Sequence, residues 1–183
     1  MTPLADATLA AWALLEVAVR VREGLQGRGR RDRDRATRVW IALSLGVAIA
    51  GALAARSSLP SLHVATGAAG VAVMWLGLVV RGWAIAALGS DFRTTVEVEA
   101  GQAVVATGPY RWVRHPSYSG LLLIVAGLGL AAGNWLSLAV CLIVPLPAIV
   151  WRIRVEEAEL ERVLGDAYRS YASGRARLVP RIW

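Results

Sequence analysis

Residues 107–120 read Thr-Gly-Pro-Tyr-Arg-Trp-Val-Arg-His-Pro-Ser-Tyr-Ser-Gly and run straight into a long apolar stretch. A second polar group, Arg152-Ile153-Arg154-Val155-Glu156-Glu157, follows the next apolar stretch. Arginine can clamp a carboxylate, glutamate can accept from an ammonium, and tyrosine can flank an aromatic base. On a helix Arg154 and Glu157 are three residues apart and share a face, with Glu156 turned aside. A charge run of this kind is usually a solvated, salt-bridged face. Here it starts where an apolar segment ends, at a depth where ionisable groups are expensive and tend to be functional.

S-adenosylmethionine presents a carboxylate, an ammonium and an aromatic base together. NADPH or a phospholipid headgroup would also use the arginines. No glycine-rich dinucleotide turn lies between a strand and a helix: Gly27-Arg28-Gly29 falls in an arginine-rich loop and Gly127-Leu128-Gly129 inside an apolar segment. His63 and His115 are the only histidines and Cys141 the only cysteine, so no metal set and no intrachain disulfide are expected. His63 reads as an outer-interface residue. Trp112 reads as an interfacial anchor and Arg111 as either anchor or site. His115, between Arg114 and a helix-starting proline, reads as part of a site.

The elements that position these residues follow from hydropathy. Of the 183 residues 56% are hydrophobic, too many for an ordinary soluble domain. Five apolar segments stand out, at 4–21, 39–55, 62–88, 117–133 and 135–151. A bilayer core takes about 20 helical residues. The expected fold is therefore all-α, a single integral membrane domain over 1–183. It is a bundle of about five transmembrane helices with a cytosolic C-terminal helix over 152–173. Residues 1–61 form an N-terminal helical pair and 62–183 the core. The N-terminal segment lacks a basic leader and is broken by Asp6 and Glu16, so it reads as a retained helix rather than a signal peptide. Gly133-Asn134 makes the last two segments a tight hairpin. Pro145 and Pro147 kink its second arm. Pro116 suits the first position of the fourth helix, with His115 at its entrance. Gly120, Gly127 and Gly129 permit close approach of another backbone or a ligand.

All 20 basic residues are arginine, and the net charge is +7. They lie between apolar segments rather than on one soluble domain, which speaks against nucleic acid and for anionic lipid. Seven arginines fall within 22–38, which makes that segment cytoplasmic under the positive-inside rule. Five spans then bring 89–116 and 152–183 to the same cytoplasmic face. The lysine-free, Arg/Ala-rich composition suggests a high-GC bacterial source and hence a bacterial cytoplasmic membrane.

The ordered set Gly108-Pro109-Tyr110-Arg111, Arg114-His115-Pro116-x-Tyr118-x-Gly120, Asn134-Trp135, Glu156-Glu157 with Arg154, Gly165-x-x-Tyr168-x-x-Tyr171 and Arg175-x-Arg177-Leu178-Val179-Pro180 resembles the isoprenylcysteine carboxyl methyltransferase family. The likeness runs from about residue 75 to 183. The first two segments match only in hydropathy. The resemblance implies an integral membrane enzyme that binds S-adenosyl-L-methionine on its cytosolic side. It implies that His115, Pro116, Tyr118 and Gly120 line the cofactor, with Tyr110, Arg114 and Glu156 as second choices. Arg154 and Glu157 would hold the cofactor's polar end or orient the substrate. Family members methylate the carboxylate of a prenylated cysteine whose lipid tail enters from the bilayer. Membrane reductases that use NADPH share a similar C-terminal half, with asparagine where Ser117 follows Pro116. A phospholipid amine or a small isoprenoid acid would fit the same cofactor half of the site.

Overall fold

A computed structural model describes residues 3–25, 35–58, 64–89, 92 and 104–183. They form seven α-helices: α1 (Pro3–Leu25), α2 (Arg35–Ser58), α3 (Val64–Leu88), α4 (Pro116–Ala131), α5 (Trp135–Ile143), α6 (Leu146–Leu164) and α7 (Asp166–Ala172). A 3₁₀ turn, Gly108–Arg111, precedes α4. Among the described residues the only β-type pairing is one isolated bridge, Val113 with Ala176. The fold is all-helical, as the hydropathy implied. His63 and the arginines from Arg28 to Arg33 lie outside the described residues.

Among the described residues three runs are long and apolar enough to cross a membrane: Ala36–Ala55, Thr66–Leu88 and Trp135–Leu164. The helix Pro116–Ala131 is apolar but shorter. α1 falls outside this set; it carries Asp6, Glu16, Arg20 and Arg22. Leu14, Val17, Trp40, Leu43, Val47, Trp75, Leu76, Val79 and Ile143 are exposed on the outside of the bundle. An apolar exterior of this extent suits lipid rather than water.

Glycines bring α3 and α4 together as an antiparallel pair. A Cβ on Gly127 would stand 2.5 Å from the Gly70 carbonyl oxygen, and one on Gly120 would stand 2.7 Å from the Gly77 carbonyl oxygen. Both obstacles are backbone and cannot yield, so these positions admit only glycine. Met74, Leu78, Ile124, Val125 and Leu128 fill the rest of the contact, and Ile149 and Ile153 of α6 close the core.

The hairpin turns where expected. Gly133 takes φ +83, a conformation open to glycine. Asn134 caps α5, its side-chain oxygen accepting from the Ser137 amide at 2.8 Å. Pro145 separates α5 from α6, as a proline that cannot donate to the preceding turn should. One boundary differs from expectation. The helix anticipated over 152–173 starts earlier and is broken: α6 runs through Arg152 to Leu164, Gly165 turns at φ +54, and α7 follows. Arg152 therefore lies inside a helix rather than at its first turn.

Candidate active site

The first turn of α4 and the second half of α6 meet at one end of the bundle. His115 takes the N-cap position of α4 and Pro116 the next, where its missing N–H costs nothing. His115 is 4% exposed. Its Nε2 lies 3.2 Å from Glu157 Oε1. A carboxylate can only accept, so Nε2 carries a proton. His115 Nδ1 faces Glu156 Oε1 at 3.8 Å, and the His115 and Tyr118 rings lie 5.8 Å apart.

The two glutamates have different surroundings. Glu157 is buried and accepts from three side chains: Arg114 Nη1 at 2.9 Å, Arg177 Nε at 2.8 Å and His115 Nε2. Both of its oxygens are engaged by the protein, so it organises the site. Glu156 is about a third exposed, at 31% of its side chain, and accepts from the Tyr118 hydroxyl at 2.9 Å. It is the more accessible of the two carboxylates.

Tyr118 Oη also accepts from Arg152 Nε at 3.2 Å, and Arg152 Nη1 donates to Thr37 Oγ1 of α2 at 2.9 Å. Arg152 is 2% exposed. A chain Thr37–Arg152–Tyr118–Glu156 thus crosses the site. The structure does not bring Arg154 into this group: Arg154 is exposed. The pairing expected between Arg154 and Glu157 gives way to Arg114 and Arg177, because Glu157 continues the buried α6 stripe of Ile149 and Ile153, from which Arg154 diverges. Arg152, which reaches Tyr118, was not among the expected site residues. It lies four positions before Glu156, on the same helix face, and that spacing was its sequence signal.

Gly120 meets another backbone, one of the two uses expected of it: the space of its absent side chain is filled by the Arg81 amide and Cβ, so it serves the α3–α4 contact. Pro116 is buried in the first turn, between His115 and the Tyr118 chain.

Tyr110 is buried with Tyr168, Tyr171 and Ala84. Burial, with Glu156 as the next cause, pushes its hydroxyl well above the ordinary tyrosine value, so it stays protonated. Burial likewise raises Tyr168, with Glu157 adding to the effect. Tyr171 is pushed up to about 12, also chiefly by burial. Its hydroxyl donates to the Tyr110 carbonyl at 2.9 Å. Trp112 is half exposed, edge-on to Trp83 and beneath the Arg111 guanidinium, an arrangement suited to an interfacial anchor.

A C-terminal strap stitches the site shut from one side. The Arg114 amide donates to Ala176 O at 2.8 Å, the His115 amide to Arg177 O at 2.9 Å, and Ser119 Oγ to Leu178 O at 2.6 Å. Arg177, carried on this strap, reaches Glu157. The sequence marked Arg175–Pro180 as a motif without a role; its role is visible only once the chain has folded back.

A family model described as phospholipid methyltransferase matches residues 65–167, more than half of the chain. The chain belongs to this phospholipid methyltransferase family. The family match spans α3 to the start of α7 and leaves α1, α2 and the strap outside it. An isoprenylcysteine O-methyltransferase of Arabidopsis thaliana is 31% identical over 113 residues, 61% of this chain and 57% of that protein. Its Saccharomyces cerevisiae namesake is 35% identical over 104 residues, 56% of this chain and 44% of its own. The uncharacterised Bacillus subtilis protein YpbQ is 30% identical over 95 residues, 48% of this chain and 56% of its own. The chain thus spans about half the length of the curated relatives it matches. The fold is shared with the solved eukaryotic intramembrane Ras methyltransferase, isoprenylcysteine carboxyl methyltransferase. That match has a TM-score of 0.65 and 24% identity, over 81% of this chain and 54% of the other.

Proposed function

We propose that this protein is a membrane methyltransferase that uses S-adenosyl-L-methionine to methylate a carboxylate on a lipidic, isoprenylcysteine-like substrate, with the site at the cytosolic face. The observation that carries this reading is the pair of adjacent glutamates with separate duties. Glu157 is closed by three cationic or proton-bearing donors, while Glu156 is half-buried beside Tyr118 and His115. The donor set suits the cofactor: Glu156 is an acceptor for its ammonium or ribose hydroxyls, and Arg114 is a cation for its carboxylate. Arg152, buried, acts through Tyr118, and the exposed Arg154 lies outside the group. His115, Pro116, Tyr118 and Tyr110 form the wall around them.

When bound, S-adenosylmethionine supplies a sulfonium methyl group open to in-line attack. The substrate carboxylate is ionised at neutral pH and needs no general base. Glu156 and Arg114 would hold the cofactor so that the methyl could pass to the substrate oxygen while the departing sulfur took the electron pair. The protein's work is to hold two reactants in line and exclude water. Arg152 and Tyr118 fix Glu156; Glu157 fixes His115 and Arg114; the apolar exterior admits a lipid tail from the bilayer. The relatives named isoprenylcysteine O-methyltransferases support a carboxylate acceptor over a phospholipid amine.

The test is a transfer assay in detergent with radiolabelled cofactor and a panel of acceptors. Prenylated cysteine and free isoprenoid acids should take label as base-labile methyl ester. Label found only as a base-stable methylamine on phosphatidylethanolamine would move the protein to the amine-methylating branch.

A further inference from the structure

Arg81 lies in the apolar helix α3, seven residues before its end at Leu88, and is 7% exposed. An ionisable group at that depth calls for a partner and a purpose. Glu16 of α1 supplies the partner. Arg81 Nε donates to Glu16 Oε1 at 2.6 Å and Nη2 to Glu16 Oε2 at 3.0 Å, a bidentate pair. Trp12 Nε1 also donates to Glu16 Oε1, at 2.9 Å, fixing the carboxylate from its own helix.

That pairing leaves Nη1 for a third helix. Nη1 donates to Ser117 Oγ at 2.7 Å and to the Ser117 carbonyl oxygen at 3.1 Å. Ser117 lies between Pro116 and Tyr118, in the first turn of α4. The same turn is pressed against the Arg81 backbone, where a Cβ on Gly120 would meet the Arg81 amide at 2.7 Å. A pair serving only to hold α1 on α3 has no need of this third contact. The guanidinium is rigid and planar, so fixing two of its nitrogens on Glu16 also fixes the direction of the third.

We infer that Arg81, clamped by Glu16, is a positioning residue for the methyl-transfer site, setting the depth and rotation of the first turn of α4 and so the aim of His115 and Tyr118. α1 lies outside the family match, yet it reaches the site through this arginine. The inference rests on the proposed cofactor site.

The experiment measures melting temperature and calorimetric affinity for S-adenosylhomocysteine on the full chain in detergent. The variants are Ser117→Ala, Glu16→Gln and the charge swap Glu16→Arg with Arg81→Glu. The swap restores an ion pair between α1 and α3 but turns an acceptor toward the Ser117 carbonyl. A positioning role predicts that the swap melts near wild type yet binds about tenfold more weakly. It also predicts weaker binding in Ser117→Ala, about fivefold, with little change in melting. Affinity in Ser117→Ala and in Glu16→Gln within twofold of wild type overturns the inference, whatever their melting. So does a swap that recovers affinity along with stability. If the swap does not fold, Ser117→Ala alone decides. Wild type that binds no S-adenosylhomocysteine overturns the function reading and this inference with it; wild type that binds, with unaffected variants, overturns the inference alone.

Discussion

Replacing Glu157 by alanine should unfold the site before it stops the chemistry. Glu157 accepts from Arg114, Arg177 and His115 at 2.9, 2.8 and 3.2 Å, and its side chain is 9% exposed. Removing one partner of a buried charge network costs about 3–5 kcal/mol. The lower end applies here, since Arg177 is a third exposed and Arg114 keeps a bond from its Nε to the Arg175 carbonyl. About 3 kcal/mol in a chain of this size lowers the melting temperature by roughly 6–12 °C. Glu157→Gln keeps the shape and an acceptor oxygen and should lose about half as much. Glu156→Gln should behave in the opposite way. Its carboxylate is partly exposed and takes one tyrosine hydrogen bond, so stability should fall by less than about 1 kcal/mol. Cofactor affinity should fall at least tenfold. Thermal melts in detergent alongside radiolabel transfer separate the two. If Glu157→Ala melts within 2 °C of wild type (a shift of about 0.5–1 kcal/mol), Glu157 is not the organising carboxylate. If Glu156→Gln binds cofactor normally, the division of duties is wrong.

Arg152→Ala should abolish transfer, whereas Arg154→Ala should keep it within about twofold, because only Arg152 reaches Tyr118; initial rates decide between them. Gly127→Ala should cost about 1–3 kcal/mol, since its Cβ meets backbone at 2.5 Å, while Gly82→Ala, with nothing within 4 Å, should be neutral or slightly stabilising; melting curves compare them. Tyr171 is held at about 12 against an ordinary 10.0, so the folded chain binds this proton more tightly than the unfolded chain. The stability it contributes is whole below pH 10 and declines as the pH rises through about 12. Tyr171→Phe should flatten that alkaline decline and cost about 1 kcal/mol at neutral pH through loss of the bond to the Tyr110 carbonyl; melting as a function of pH measures both.

Local rules made much of the scaffold legible. Pro116 announces the start of α4, Gly133-Asn134 the hairpin and Pro145 the break, because each acts within a few residues of itself. The glycines of α4 signalled close packing, and Gly120 faces Arg81. What could not be read locally was who pairs with whom. Spacing within one helix suggested Arg154 for Glu157, but its arginine partners come from the entrance to α4 and from a strap twenty residues further on. Gly165, at φ +54, ended α6 inside the stretch 152–173 that was expected to form one helix. Glu16 looked like an interruption in an apolar segment; its meaning lies in Arg81, 65 residues away.

The most direct test of the central claim is calorimetry of the purified protein in detergent with S-adenosylhomocysteine and with NADPH. A methyltransferase site should bind S-adenosylhomocysteine in the micromolar range and give no heat with NADPH. Binding of NADPH with none of S-adenosylhomocysteine would contradict it and return the site to a reductase.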